Sequence, residues 1–280
     1  MDIAHLASEL IYRIDYHTYW GVFLFGLLIS ATAMSTGIDG AIFWEQVLLF
    51  VYGLEPSVAI AYAIGIEVFG FGSGLYGYAK YRKIQYHVAI FLLIFALPLG
   101  IIGAAMSKVL PADVLIFLMG VGCVVLAINN VYRARTKTQE RLPGELEIVN
   151  KPLGAFLGAV GGFFSGAIGV GIGEIDHYYL MMKNKYPVPY TSGTAVFMVA
   201  VTAIACTLFN IFHFKSSGQF NFNQVLSIMV FAAPAVVIGA RVGVYLAHII
   251  KRKQFNYYIA IVFTIMAFFS FYKVFHLVHN

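Results

Sequence analysis

Apolar runs of about 17–25 residues recur along this chain, and that is the length a helix needs to cross a hydrocarbon core of about 30 Å. They cover Tyr19 to Ser35, Ser57 to Ala79, Tyr86 to Ser107, Val114 to Val131, Leu153 to Val170, Tyr190 to Phe214, Phe222 to Ala247 and Phe255 to Tyr272. Backbone entering hydrocarbon must satisfy its hydrogen bonds internally. The runs therefore predict an all-α integral membrane protein, a polytopic helical bundle. Composition agrees, with 60% hydrophobic residues, 11% charged residues and a mean hydropathy of +0.82. Soluble domains are about a quarter charged.

The first 17 residues carry Asp2, Glu9 and Asp15, and no small-residue cleavage site follows an apolar core. Residues 1–18 therefore read as an interfacial segment rather than a secretory signal. Cys123 and Cys206 each lie within an apolar run and define no disulfide framework. The net charge of +5 comes from Lys and Arg gathered in short loops, as orientation in a bilayer demands. It forms no basic stripe, and a nucleic-acid partner is not expected.

An internal repeat organises the chain. "FALPLGIIGA" (Phe95 to Ala104) and "FAAPAVVIGA" (Phe231 to Ala240) share six of ten residues, with Pro98 and Pro234 in register. The same register, with a short insertion in the second half, sets Pro56 opposite Pro189 and Gly40 opposite Gly173. Two repeats follow, over residues 19–132 and 153–280, joined by a polar linker over residues 133–152. Each holds a helical hairpin broken at glycines and three transmembrane helices. Lys80, Arg82 and Lys83 belong on the cytoplasmic side, together with Arg133, Arg135, Lys137 and Arg141 of the linker. If the second glycine segment is a hairpin, Lys183, Lys185 and the Lys251–Lys253 cluster join them. The second repeat is then inverted relative to the first, and both termini face outward.

Glycine-broken segments in corresponding positions of two halves mark the binding site of many secondary transporters. The breaks here are "TGIDGAIF" (Thr36 to Phe43) and "GAIGVGIGEI" (Gly166 to Ile175). Backbone exposed at bilayer depth must be buried in protein or line a cavity. Amides at the start of a return helix carry partial positive charge and hold anions. Gly37, Asp39 and Gly40 in the first break, with Gly169, Gly171, Gly173 and Glu174 in the second, are thus candidate substrate-binding residues. A nucleotide-phosphate loop is not expected, because no strand precedes the glycines and no Lys-Ser/Thr pair follows.

The chain resembles the TauE/SafE-like sulfite exporters. The resemblance lies in "GGFFSGAIGVGIGEI" (Gly161 to Ile175), "SGTAV" (Ser192 to Val196), "PAVVIGARVGVYLA" (Pro234 to Ala247) and the order of segments in both halves. It implies a carrier of small sulfur-containing anions, such as sulfite or short organosulfonates, in the cytoplasmic membrane, and it adds Ser192 and Thr194 to the candidate site. Asp39, Glu174, Asp176 and His177 depart from the purer glycine pattern of that family.

The acids at membrane depth carry the remaining chemistry. Asp39 and Glu174 stand where a carboxylate caps a return helix, and there they compete with an anionic substrate for the same amides. Glu67 lies eleven residues beyond Pro56 among apolar neighbours, where a charge costs several kcal/mol and marks function by default. It is the candidate coupling residue, taking a proton from one side and releasing it to the other. Glu45, Asp176 and His177 fall on the short return segments. Their spacing with Glu174 forms no recognised zinc set, and no cofactor is expected. Hydroxyls of Ser35, Thr36, Ser165 and Thr202 either face substrate or back-bond to the preceding turn. Arg241 is expected to snorkel to the interface. Expected partners are a small anion and the lipid bilayer, with a homodimer as one possible assembly. An anion channel, or a carrier of a cation or neutral solute, is the alternative function. Neither a His-Glu-x-x-His nor a Gly-x-Ser-x-Gly signature occurs, so an intramembrane enzyme is not expected.

Overall fold

The computed structural model describes residues 14–36, 38–136, 150–217, 221–246 and 252–279. Among these it contains helices and turns and no strand. Gly37, most of the 133–152 linker and residues 1–13 of the expected interfacial segment lie outside the described residues.

A short helix α1 (Tyr16–Tyr19), capped by Asp15, leads into α2 (Gly21–Thr36). After the first break come α3 (Ala41–Gln46), a π-helical turn (Val47–Val51), α4 (Pro56–Lys80), α5 (Tyr86–Met106) and α6 (Ala112–Arg135). The second series repeats the order. It runs through α7 (Lys151–Ile168), α8 (Ile172–Tyr178), a second π-helical turn (Tyr179–Lys183), α9 (Val188–Ser216), α10 (Phe222–Leu246) and α11 (Arg252–His279). Among the described residues eight helices are long and apolar enough to cross a membrane. The protein is a multi-pass integral membrane protein.

Two of those eight do not cross as isolated spans, because the chain doubles back after them. The ring of Tyr52, past the end of α3, stacks at 5.2 Å on Tyr19, which precedes α2. The hydroxyl of Tyr179, past the end of α8, donates to the carbonyl of Asn150, the cap of α7, at 2.6 Å. Each return helix therefore ends at the level where its incoming helix began. The sequence marks the second turn sharply: Gly169 adopts φ +62 in the left-handed region, and Gly171 has φ +158. Gly173 lies one residue inside α8 rather than in the bend.

Small residues set the packing between the halves. Gly158 meets Leu92, Gly162 meets Ala96 and Gly166 meets Gly100, so α5 and α7 run parallel with backbones almost touching. Gly26 meets Ala235, Gly239 meets Leu27 and Gly243 meets Ala31, which makes α2 and α10 a second parallel pair. Such contacts replace the hydrophobic driving force that is missing between helices in lipid. Pro98 and Pro234 sit inside α5 and α10, the partners that press on the two hairpins. α4, with 67% of its span buried, runs through the middle of the bundle and carries Glu67.

Candidate functional site

The two breaks meet in the core, and carboxylates tie them together. Asp39 donates its amide to Glu174 Oε1 at 2.8 Å. In return, the amides of Gly171 and Gly173 donate to Asp39 Oδ2 at 3.0 and 3.3 Å. The first break is thus capped from the second and the second from the first. Glu67 completes the set from α4, where its Oε1 accepts the amide of Ala41, the first residue of α3, at 2.7 Å. Each return helix therefore presents its amino-terminal amides to a carboxylate, as helix polarity favours.

The remaining acids close around this knot. A Cβ on Gly169 would overlap the Glu45 carboxylate, so that glycine is required by space as well as by its backbone angle. Asp39, Glu45, Glu67, Glu174 and Asp176 are all buried. Among the described residues both carboxylate oxygens of Glu45 and of Asp176 have no hydrogen-bond partner, nor have Asp39 Oδ1 and Glu174 Oε2. Arg133 is buried too, and its guanidinium reaches the carbonyl of Glu174 at 3.4 Å. The sequence places Arg133 among the cationic residues of the polar linker. In the structure α6 continues to Arg135 and turns Arg133 inward, where the Glu174 carbonyl of α8 accepts its hydrogen bond.

Six of the expected binding residues are brought together: Asp39, Gly40, Gly169, Gly171, Gly173 and Glu174, with Glu67 beside them. A Cβ on Gly40 would lie 3.6 Å from Glu67 Oε1, and one on Gly173 would lie 2.5 Å from Asp39 Oδ1. Ser192 and Thr194 are placed elsewhere, at the start of α9. Thr194 Oγ1 accepts the amide of Gln85, the cap of α5, at 3.0 Å. Between them, Gly193 packs against the carbonyl of Lys83. The Thr194 hydroxyl therefore serves the 83–85 turn. Among the described residues, no group of three His, Cys, Asp or Glu side chains is arranged to hold a metal ion.

A cavity of about 470 Å³ opens beside the knot, between α6 and the α7–α8 hairpin. Its wall is mostly apolar, with Asn129, Gly171, Glu174 and Tyr178 as its polar members. Backbone at bilayer depth here is buried in protein or lines this cavity, as its polarity requires.

The model of the family described as "Sulfite exporter TauE/SafE" matches residues 22–270, nearly the whole chain. The chain belongs to this family. It is a membrane transporter, and the matched region holds both breaks and Glu67. A curated relative, the "Probable membrane transporter protein YunE" of Bacillus subtilis (strain 168), is 22% identical over 238 residues, covering 78% of this chain and 84% of its own length. No solved structure matches. The cross-capping acids were partly legible in the sequence as isolated carboxylates, whereas their pairing was not. Glu45 and Asp176 carried one shared signal, burial of an acid within an apolar segment of a return helix.

Proposed function

We propose that this member of the exporter family moves a small sulfur-containing anion, sulfite or an organosulfonate, across the cytoplasmic membrane, with protons linked to its passage. The observation that carries the reading is the pair of carboxylates, Asp39 and Glu67, seated on the amino-terminal amides of the two return helices. They occupy the positions that an oxyanion takes at such helix starts. For substrate to bind, a carboxylate must leave its amides. An ionised carboxylate without partners is costly in a low-dielectric core, so leaving is coupled to proton uptake. When substrate departs, the carboxylate returns to the amides and gives its proton up. Glu67 stands on α4 and caps α3, the return helix of its own repeat, where it is suited to exchange its proton with opposite sides in turn.

Supporting this reading are the directions of the helices. α5 runs parallel to α7 and α10 parallel to α2, as two inverted repeats over residues 19–132 and 153–280 require. In this arrangement the 81–85 turn and Lys183 face the cytoplasm, and the termini face outward. The test is equilibrium binding of sulfite, thiosulfate, sulfate, alkanesulfonates and carboxylates to the purified protein at several pH values. The reading expects the sulfur oxyanions to bind preferentially, with proton uptake on binding. Preference for a cation, or binding without proton exchange, would remove it.

A further inference from the structure

Protein interiors hold few voids larger than a water molecule. The space between α6 and the α7–α8 hairpin is about 470 Å³, the size of a small-molecule site. Its walls differ in chemistry. Along α6 and α7 it is faced by hydrocarbon, with Leu118, Val125, Leu157 and Phe164 among its lining. Along α8 it meets Gly171, Glu174 and Tyr178, which follow at helical spacing. Val121 and Val125 line it and are 38% and 58% exposed, so the space opens sideways, on the lipid-facing side of α6.

The opening is specific to the second hairpin. α11 holds the place in the second series that α6 holds in the first. Where α11 packs on the first hairpin, side chains fill the contact: the rings of Phe43 and Phe263 stack at 5.1 Å, and Gln46 donates to Ser270 Oγ at 3.1 Å. A cavity beside α8 is therefore not a by-product of the fold.

Two groups at the polar wall point to a ligand. Glu174 is 3% exposed and lines the cavity, and its Oε2 has no hydrogen-bond partner among the described residues. Arg133 brings positive charge to the same place. Leu118, Gly122, Leu126 and Asn129 line the cavity at helical spacing, and Arg133 is the next residue on that face. Its guanidinium donates to the carbonyl of Glu174 at 3.4 Å, and among the described residues no other Lys or Arg is buried. A guanidinium presents a planar fork of N–H groups that suits oxyanions.

We propose that this cavity binds an amphiphilic organic anion, its oxyanion head at the α8 wall, where Arg133 answers its charge, and its hydrocarbon body along α6. This rests on the reading above, in which an anion takes the α8 amides from Asp39, and it narrows the substrate to anions with an apolar body. Sulfite has nothing to place against the α6 wall, whereas an alkanesulfonate has. Glu174 stands beside the head and receives it in protonated form, because a protonated acid donates to an oxyanion and a carboxylate only accepts.

The test is equilibrium binding to the full chain in lipid nanodiscs, free of detergent tails. The probes are sulfite and the methane-, ethane-, propane- and butanesulfonates, with butylammonium as the charge control. Burial of each added methylene should tighten binding about fourfold, and butylammonium should bind at least tenfold more weakly than butanesulfonate. A Cβ on Gly122 would lie 3.5 Å from Ile168 and Val170, an ordinary contact, so a longer side chain there extends into the cavity. Gly122→Leu should therefore flatten the series. Arg133→Gln should weaken every sulfonate at least tenfold and leave the dependence on chain length intact, a pattern that general damage to the fold does not produce. Should Arg133→Gln not fold, Arg133→Lys, which keeps the charge and loses the fork, decides in its place. Equal affinity along the series means that bilayer chains fill the cavity and overturns the proposal, as does tighter binding of butylammonium. A flat series with sulfite still bound and protons taken up leaves the proposed function standing and removes this site. A steep series flattened by Gly122→Leu, with no proton exchange, leaves the site standing and removes the proton-linked reading.

Discussion

The amide of Asp39 donates to the carboxylate of Glu174 across 135 positions of sequence, at 2.8 Å. Each glycine break is therefore completed by a residue of the other half, and neither hairpin is finished alone. This cross-capping places the acids of one hairpin on the helix start of the other. It also makes the centre of the bundle sensitive to single substitutions.

Replacing Asp39 with Ala leaves the amides of Gly171 and Gly173 without an acceptor. Loss of a helix cap costs about 0.5–2 kcal/mol, and a buried donor left unpaired costs about 1–3 kcal/mol. Thermal unfolding in detergent should move down by several degrees, and Asp39→Asn, which keeps an acceptor oxygen, should recover most of the loss. An unchanged midpoint for the Ala variant contradicts the capping role.

The α5–α7 contact is set by backbone, so it should tolerate no side chain. A Cβ at Gly166 overlaps the carbonyl of Gly100, and one at Gly103 overlaps that of Phe163. Gly166→Val should abolish recovery of folded, monodisperse protein, whereas Gly72→Ala, where open space surrounds the added carbon, should be recovered in native yield. Equal recovery of both from membranes would show that the helices are not pressed together here.

Lys108 gives a pH signature at the membrane edge. Burial pushes its amine down to about 8 from 10.5. In the unfolded chain the amine is protonated up to about pH 10.5, so between about 8 and 10.5 the unfolded state binds more protons than the folded one. Stability must then rise with pH through that window as far as this group contributes. Lys108→Met should flatten the rise when denaturation midpoints are compared at pH 8 and pH 10. A native chain and variant with the same slope would mean the amine is not buried.

Orientation is open to labelling from the two sides of the membrane. In a chain with Cys123 and Cys206 replaced, single cysteines at Glu55 and Lys183, both exposed, should react from opposite faces, Lys183 from the cytoplasm. Reaction of both from one face ends the inverted-repeat account.

Much of the fold was legible because length and hydropathy are local properties. The run from Tyr86 to Ser107 is α5 to within one residue, and the Pro98 and Pro234 repeat falls inside two matching helices. The glycine breaks were legible for the same reason, since Gly169 needs a backbone angle that few other residues adopt. The site was legible only in part. Sequence placed Asp39 and Glu174 near helix starts, but which acid caps which helix depends on the meeting of two distant hairpins. Arg133 read as a loop cation because it sits beside polar residues, and only the neighbouring α8 shows why it turns inward. Thr194 followed the glycine segment in sequence but serves the turn at Gln85 in space. Thr202 was open between facing substrate and back-bonding, and among the described residues its hydroxyl has no hydrogen-bond partner.

The central claim is that Glu67 trades its helix amide for a proton during transport. The most direct measurement is sulfur-oxyanion flux into proteoliposomes under an imposed pH gradient, for the native chain and for Glu67→Gln. The amide keeps an acceptor for the Ala41 N–H and the size of the side chain, so folding and substrate binding should persist. The account predicts that flux through the Gln variant no longer responds to the gradient, while the native chain follows its size and sign. Flux through the Gln variant that tracks the gradient as the native chain does would contradict it.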